Sequence, residues 1–339
     1  MKKIDPRLSV APMMSWTDRH CRVFHRLLSQ NTLLYSEMVT TGAIIHGDTE
    51  RLLKFSQIEH PLALQLGGSN PKELAEASKI GKDFGYDEIN LNLGCPSDRV
   101  QSGCFGAALM KDPKLVFKCI SQMKKEVANT KITVKCRLGV DEQDPESILP
   151  EFLQYLIDSG VDGVTIHARK ALLKGLTPKE NRDVPPLDYG LVLRMKEKFP
   201  ETEIVINGGI SSLSVANHFI NSGLDGVMIG RAAYKKPNEV LLLADQEIFR
   251  EKKVIRKNMK TALTALCDYI EKELVQGTRL NEITRHILGA FNGYRGARRF
   301  RQTLSQKAHR SDAGVEVLEE AIDKVSDDQE QFRGSSNGF

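Results

Sequence analysis

Cys95 lies in the run NLNLGCPSDRVQSGCFGAAL, between a glycine and a proline and ahead of a loop rich in small residues. A thiol has a reference pKa of about 8.5, so at neutral pH it keeps its proton and can act as a general acid. A free cysteine is more often a small buried hydrophobe, and Cys104, later in the same loop, is the rival thiol. Lys135 interrupts the apolar run ITVKCRLG, where its charge needs a ligand, a carboxylate or solvent. His167 follows GVTI. Alone it reads as a satisfied core histidine; with Lys135 on a neighbouring strand it suits a site for a cofactor ring or its phosphate. Two glycine turns, Asn207-Gly208-Gly209 and Gly230-Arg231, let backbone N–H groups approach an anion. The two cysteines of the loop lack metal-ligand spacing, and the chain holds neither a CxxC pair nor HExxH, so no metal is expected.

These residues share one position, the end of a short apolar run. Such runs occur at 8–13, 33–38, 62–68, 88–94, 132–139, 163–169, 203–209 and 226–232. Each is near-continuously apolar, as in strands covered by helices on one side and facing a packed interior on the other. Amphipathic stretches lie between them, with capping signals at Asn70-Pro71, Asp112-Pro113 and Ser211 or Ser212, and stops at Gly85 and Gly223. Eight strands alternating with helices over about 240 residues predict a (β/α)8 TIM barrel, with a doubly wound open sheet as the competitor. The barrel brings Ala11, Pro12, Met13, Gln65, Asn92, Cys95, Lys135, His167, Asn207 and Gly230 to one face, where barrel enzymes build their sites. Two long connections, 95–112 and 170–187, leave that same face.

Beyond residue 237 no strand signal remains. Helical periodicity runs through 238–253, 258–277, 281–294 and 314–325. The domains therefore read as a barrel over 1–244, a small all-α helical bundle over 245–325, and a tail over 326–339 expected to be disordered. The net charge of +4 hides an asymmetry: residues 1–249 are neutral, 250–310 carry +10 and 311–339 carry −6. A basic segment of that density points to a polyanionic partner, with a solvated helical surface as the alternative. A mean hydropathy of −0.32 and the lack of a long apolar run exclude a membrane-spanning helix. The N-terminus has no apolar core of a secretory leader, and six scattered cysteines read as reduced thiols, so a cytoplasmic location is expected.

Read in order, APMMSWTD, YSEM, LQLGGSNP, INLNLGCPSDRVQSGCFGAALM, VKCRLG, TIHAR, VINGGI and GRAAY resemble the flavin-dependent tRNA dihydrouridine synthases along residues 4–310. The NLGCPS segment with its GAAL continuation is the most specific part. The loop KALLKGLTPKENRDVPPLDY and the run NGYRGARRFRQTLS resemble the bacterial A-type subfamily, and no motif position departs from the pattern. The resemblance implies FMN-dependent reduction of the uracil C5–C6 bond in the D-loop of tRNA, at position 20 or 20a, with NADPH as electron source. It places the Ala11–Met13 backbone (Ala11, Pro12, Met13) and Gln65 against the isoalloxazine, and Lys135 and His167 at its polar edge and ribityl chain. Asn207, Gly208, Gly209, Gly230 and Arg231 would bind the phosphate, and Cys95 would protonate C5 while hydride reaches C6. The target base has to be extruded from the folded RNA to reach such a site. Asn92 would read its edge, and Lys179, Arg182, Arg295 and Arg298 would contact the tRNA. Arg295 and Arg298 stand in the densest basic cluster of the chain, with Arg299 and Arg301.

Two other functions compete. A related FMN barrel acting on a free pyrimidine, like a dihydroorotate or dihydropyrimidine dehydrogenase, would leave the +10 segment without a role. A non-catalytic RNA-binding protein would have no use for Cys95, Lys135 and His167 together.

Overall fold

The computed structural model describes residues 4–97, 103, 105–252 and 258–326. Cys104 and the tail from residue 327 lie outside the described residues. By its internal contacts the chain divides into two compact units. One holds the residues up to Arg19 and Asn31–Gly230, and the other holds His20–Gln30 and the residues from Arg231 onward.

In the first unit all eight apolar runs form strands: β1 (Leu8–Val10), β2 (Leu34–Thr40), β3 (Leu62–Gly67), β4 (Glu88–Leu93), β5 (Lys131–Arg137), β6 (Gly163–His167), β7 (Glu203–Asn207) and β8 (Gly226–Ile229). They form one parallel sheet in which sequence neighbours pair and β1 pairs β8. A bridge at Ser9 and Leu33 closes the ring: Val10 N–H donates to Leu33 O (2.9 Å) and Leu33 N–H to Leu8 O (3.1 Å). This is the (β/α)8 barrel expected from the alternation, and the open sheet is excluded.

The helices between the strands start where the sequence marks them. Asn70 accepts from the N–H groups of Lys72 and Glu73 to open Pro71–Phe84, Asp112 from Leu115 to open Pro113–Glu126, and Ser212 from Val215 to open Leu213–Asn221. Outward-facing strand residues such as Leu64, Ile89, Val134, Ile166 and Ile206 are fully buried. Inside the ring, Ala11, Leu33, Tyr35, Ala63, Val205 and Met228 form an apolar cluster. The interior faces of β3, β4 and β5 instead carry Gln65, Glu88, Asn90, Asn92, Thr133 and Lys135, joined by the hydrogen bonds described below. Near-continuous apolarity thus holds for the outer face and for part of the inner one.

The second unit is all-helical but is divided differently from the expected bundle over 245–325. It begins at Arg231 and includes the helix Arg19–Leu28 from His20 on, which stands in the chain between β1 and β2. Ser29 Oγ and Gln30 N–H both donate to the Asp245 carboxylate at 2.7 Å, and the His20 ring shares a 2.7 Å hydrogen bond with Tyr269 OH. In RHCRVFHRLL not only the apolar stripe of Val23, Phe24, Leu27 and Leu28 but also His20, Arg22, His25 and Arg26 are buried, and residue types alone do not tell which unit the helix packs into. The expected helix 238–253 is two short pieces, Pro237–Val240 and Ala244–Glu247. The expected helix 281–294 is helical only over Leu280–Thr284 and continues as successive i→i−3 turns to Ala297. Gly289 lies there against Lys235 O, where a Cβ would stand 2.5 Å away. Met259–Val275 and Val315–Asp323 form as expected, and Ala297–Lys307 is an additional helix.

Gly296 opens that additional helix at φ 92°, and a Cβ there would collide with the Lys324 carbonyl oxygen. Gly296→Ala combines left-handed strain with that collision, so a loss of about 2 kcal/mol or more is expected. Thermal unfolding of the two proteins, compared at equal concentration, reads this as a lowered Tm.

Candidate active site

The strand register sets the site. Gln65 lies opposite Asn90, Asn92 opposite Lys135, Arg137 opposite His167, and His167 opposite Asn207. Residues two apart on a strand face the same side, so Asn90 and Asn92, and likewise Thr133, Lys135 and Arg137, rise in rows toward the C-terminal end of the barrel. Lys135 Nζ donates to Asn207 Oδ1 (3.0 Å), and Asn207 Nδ2 donates to Met228 O (2.8 Å). Asn207 thereby orients the lysine while its own amide is tied to β8.

Cys95 follows β4. Asn92 Oδ1 accepts the backbone N–H groups of Gly94 (3.1 Å) and Cys95 (3.0 Å), and Cys95 O accepts from Ala107 N–H (2.9 Å). The thiol is partly exposed and lies 3.4 Å from Ser97 Oγ. Cys21, Cys119, Cys136 and Cys267 are buried. Burial pushes Cys119 and Cys136 up to about 12 and Cys267 to about 11.

Among the described residues, Lys135 and Arg137 are electrostatically coupled to Cys95. Burial, helped by the neighbouring Arg137, lowers Lys135 to about 7, and burial lowers Arg137 to about 10. Arg137, 3% exposed, donates from Nε to Gly94 O (3.1 Å) and from Nη1 to Asn181 O (2.9 Å) and Lys170 O (3.3 Å). Arg169 Nη1 donates to Asp183 O (3.2 Å) and to Pro185 O, and its buried Nε has no hydrogen-bond partner among the described residues. Among the described residues, the hydrogen bonds of Lys135, Arg137 and Arg169 go to carbonyl or carboxamide oxygens and none to a carboxylate. Buried cations without counter-charge create a site that favours an anion. His167 is held well below its ordinary value by burial and by Arg137, Lys135, Arg169 and Arg182, so its ring is neutral there.

Gly208 and Gly209 adopt φ 117° and 67°. A Cβ at Gly208 would stand 2.7 Å from the His167 ring, and one at Gly209 would stand 2.8 Å from Leu187 and 2.9 Å from Tyr189 OH. The same two glycines thus admit the histidine and receive Leu187 at the end of the 170–187 loop, and Tyr189 OH, at the start of the helix Tyr189–Lys198, donates to Gly208 O (2.8 Å). Gly230 packs against Ala11 and Met13, placing the ends of β8 and β1 side by side. Met13 N–H donates to Thr17 Oγ1 at 2.9 Å. Arg231, the next residue, is partly buried and is the first of the second unit.

In the 170–187 loop, Asn181 is fully buried and exchanges hydrogen bonds with the backbone of Leu172 (2.8 and 2.9 Å). That anchor holds the short turn Glu180–Arg182 so that Lys179 and Arg182, on either side of it, stay exposed. Sequence reasoning missed Arg137 and Asn181. Arg137 repeats the signal that marked Lys135, a cation inside an apolar strand; Asn181 had none, because its partners are backbone atoms.

The thiols give a direct check. In a Cys104→Ser background, native protein treated with iodoacetamide is expected to label at Cys95 first, with the four buried thiols following only on unfolding. Peptide mass spectrometry reads the order; an initial rate unchanged by Cys95→Ala would overturn it.

The chain matches the dihydrouridine synthase (Dus) family model over residues 9–326. It is 52% identical over 320 residues to tRNA-dihydrouridine(20/20a) synthase of Vibrio cholerae, covering 94% of this chain and 96% of the relative. It is 53% identical to the protein of that name from Yersinia pestis (94% and 92% covered) and 52% identical to that of Escherichia coli K12 (95% and 92%). Among solved structures, morphinone reductase superposes with TM-score 0.51 at 11% identity, over 69% of this chain and 84% of its own. The old yellow enzyme homologue of Zymomonas mobilis gives 0.52 at 14%, over 76% and 92%. At such identities these two speak for the barrel fold alone. With the family model spanning both units, and relatives matched over nearly their whole length, the chain belongs to the dihydrouridine synthase family.

Proposed function

We propose that this protein is a tRNA-dihydrouridine synthase that reduces uridine at positions 20 and 20a of the D-loop, with FMN as cofactor and NADPH as reductant. The observation that carries this reading is the partly exposed Cys95 thiol at the end of β4, next to the Gly94 carbonyl that Arg137 holds, with Lys135 and Arg137 bonded to carbonyl and carboxamide oxygens and, among the described residues, to no carboxylate. The names of the relatives supply the substrate and the numbering 20/20a. Such a protein works where tRNA is, in the cytoplasm.

The residues fit a flavin mononucleotide. A neutral His167, the Lys135 amine and an Arg169 Nε without a partner among the described residues would meet an anionic, hydrogen-bonding cofactor, and Gln65 on β3 and the Ala11–Met13 backbone after β1 flank β2 in the same ring. Asn207, Gly208, Gly209, Gly230 and Arg231 would take the phosphate. When bound and reduced, FMN supplies hydride to uracil C6.

The rest is the work of the chain's own groups. Cys95 Sγ gives its proton to C5, where negative charge collects as hydride arrives at C6, and the two transfers complete the reduction. Asn92 holds the cysteine backbone and keeps one Nδ2 hydrogen for the base edge. Lys135 and Arg137 stabilise negative charge within the pocket and leave the thiolate compensated after transfer.

Lys179 and Arg182 project from the loop after β6, and in the helical unit Arg295 and Arg298 are exposed. Arg298 and Arg299 occupy the first turn of Ala297–Lys307, the helix end whose dipole disfavours cations. Their placement there weakens the helix and suits binding to phosphate.

Cys95→Ala is expected to retain FMN, seen as an unchanged flavin absorbance, and to lose about 10²–10⁴-fold in dihydrouridine formation at positions 20 and 20a. Full activity, or modification at other positions, would overturn the assignment. The double variant Arg295→Ala/Arg298→Ala is expected to bind tRNA more weakly, with its log Kd–log salt slope shallower by about 2. Flavin content should not change, and an unaltered slope would remove the helical unit from the tRNA contacts.

A further inference from the structure

Inside the barrel a single run of hydrogen bonds climbs from the N-terminal ends of the strands to Cys95. Lys131 Nζ bonds both oxygens of Glu203 (2.6 and 2.8 Å) and lies 3.7 Å from Glu88. Glu88, 1% exposed, accepts from Tyr35 OH (2.6 Å) and Thr133 Oγ1 (2.5 Å). Asn90 Nδ2 donates to Thr133 Oγ1, Gln65 Nε2 to Asn90 Oδ1 and Asn92 Nδ2 to Gln65 Oε1, each at 2.8 Å. Asn92 Oδ1 then receives the N–H groups of Gly94 and Cys95.

Between Cys95 and Glu88 every donor points toward Glu88, and chemistry at both ends requires it. Paired with Lys131, the Glu88 carboxylate is a pure acceptor, so the Thr133 hydroxyl must donate to it and accept from above. At the upper end the backbone N–H groups can only donate, so the atom facing them must be the oxygen of Asn92. With both ends settled, the three carboxamides between them have one orientation. Glu88, Thr133, Asn90, Gln65 and Asn92 are each at least 92% buried, so a reversed amide would face two donors or two acceptors at close range.

We propose that Glu88, Thr133 and Asn90 are positioning residues for the reaction: they set which side of the Gln65 amide is donor and which is acceptor, and through Asn92 they seat Cys95. Gln65 then offers the cofactor one N–H and one lone pair of fixed identity, without rotating to choose. This rests on the reading of Gln65 as a flavin contact and Cys95 as the acid.

Thr133→Val keeps the shape and removes the hydroxyl that links Glu88 to the carboxamides; Thr133→Ser keeps the link. Tyr35→Phe removes the other donor to Glu88 and leaves the run intact. Thr133→Val is expected to weaken FMN binding about tenfold or more, by flavin fluorescence quenching, and to lower kcat rather than raise KM for tRNA. Thr133→Ser is expected to restore both, and Tyr35→Phe to lower Tm with FMN affinity within about twofold of the parent. Equal losses in Thr133→Val and Tyr35→Phe, or no rescue by serine, would reduce the run to a structural one and overturn the proposal.

A measurement on the unsubstituted protein stands beside these if Thr133→Val does not fold. NMR of Asn- and Gln-side-chain-labelled apoprotein should show the amides of Gln65, Asn90 and Asn92 protected from hydrogen exchange; rapid exchange would overturn the fixed orientation. If the unsubstituted protein takes up no FMN, the flavin reading fails, while the amide exchange still decides whether the run is fixed.

Discussion

Burying the carboxylate of Glu88 inside a closed barrel creates a demand that the surrounding strands have to meet. A charge of that kind is tolerated only with a counter-ion and a full set of donors. Lys131, Tyr35 and Thr133 provide them. Burial works against the charge of Lys131, yet Glu88 and Glu203 outweigh it and hold the amine above its ordinary value. Tyr35 is pushed well above its own by burial and by Glu88, so it stays a donor. Once these partners are in place, Asn90, Gln65 and Asn92 have no freedom left, and the cysteine at the top of β4 inherits a position decided below it.

Charge is distributed along the barrel accordingly. Near the N-terminal ends of the strands acids and bases neutralise one another, Glu203 with Lys131 and Lys196 with Asp225. Toward the C-terminal ends Lys135, Arg137 and Arg169 have carbonyls and carboxamides for company. Burial first, and then the neighbouring Arg137, lower Lys135 to about 7 where an ordinary lysine would titrate far higher, and cations held in this way raise the site's affinity for an anion. The neutral state of His167 has the same origin in burial and repulsion, and makes that ring a directional hydrogen-bonding group within the cluster.

The helical unit follows a different logic. There Arg298 and Arg299 stand exposed at the start of a helix with no acid in the first turn, an arrangement poor for the helix itself. The charge of Arg295, Arg298 and Arg299 is therefore the property of a surface, whereas that of the barrel mouth is the property of an interior.

Local sequence determined much of this. Eight apolar runs became eight strands within a few residues, because side-chain alternation and covering helices leave such runs one solution; Asn70, Asp112 and Ser212 cap as their types require. Lys135, Cys95 and the paired glycines could be singled out because a cation in an apolar strand, a thiol beside proline and a Gly-Gly turn are anomalies visible without neighbours. Tertiary structure alone decided three things. It assigned the helix Arg19–Leu28 to the second unit, since its burial depends on partners such as Tyr269 and Asp245 more than 200 residues away. It made Arg137 and Asn181 into clamps on the loops, since their partners are backbone carbonyl and N–H groups that leave no trace in residue identity. And it joined Glu88 to Cys95, because a hydrogen-bonded run across β3, β4 and β5 exists only when strand register brings Gln65, Asn90 and Thr133 level.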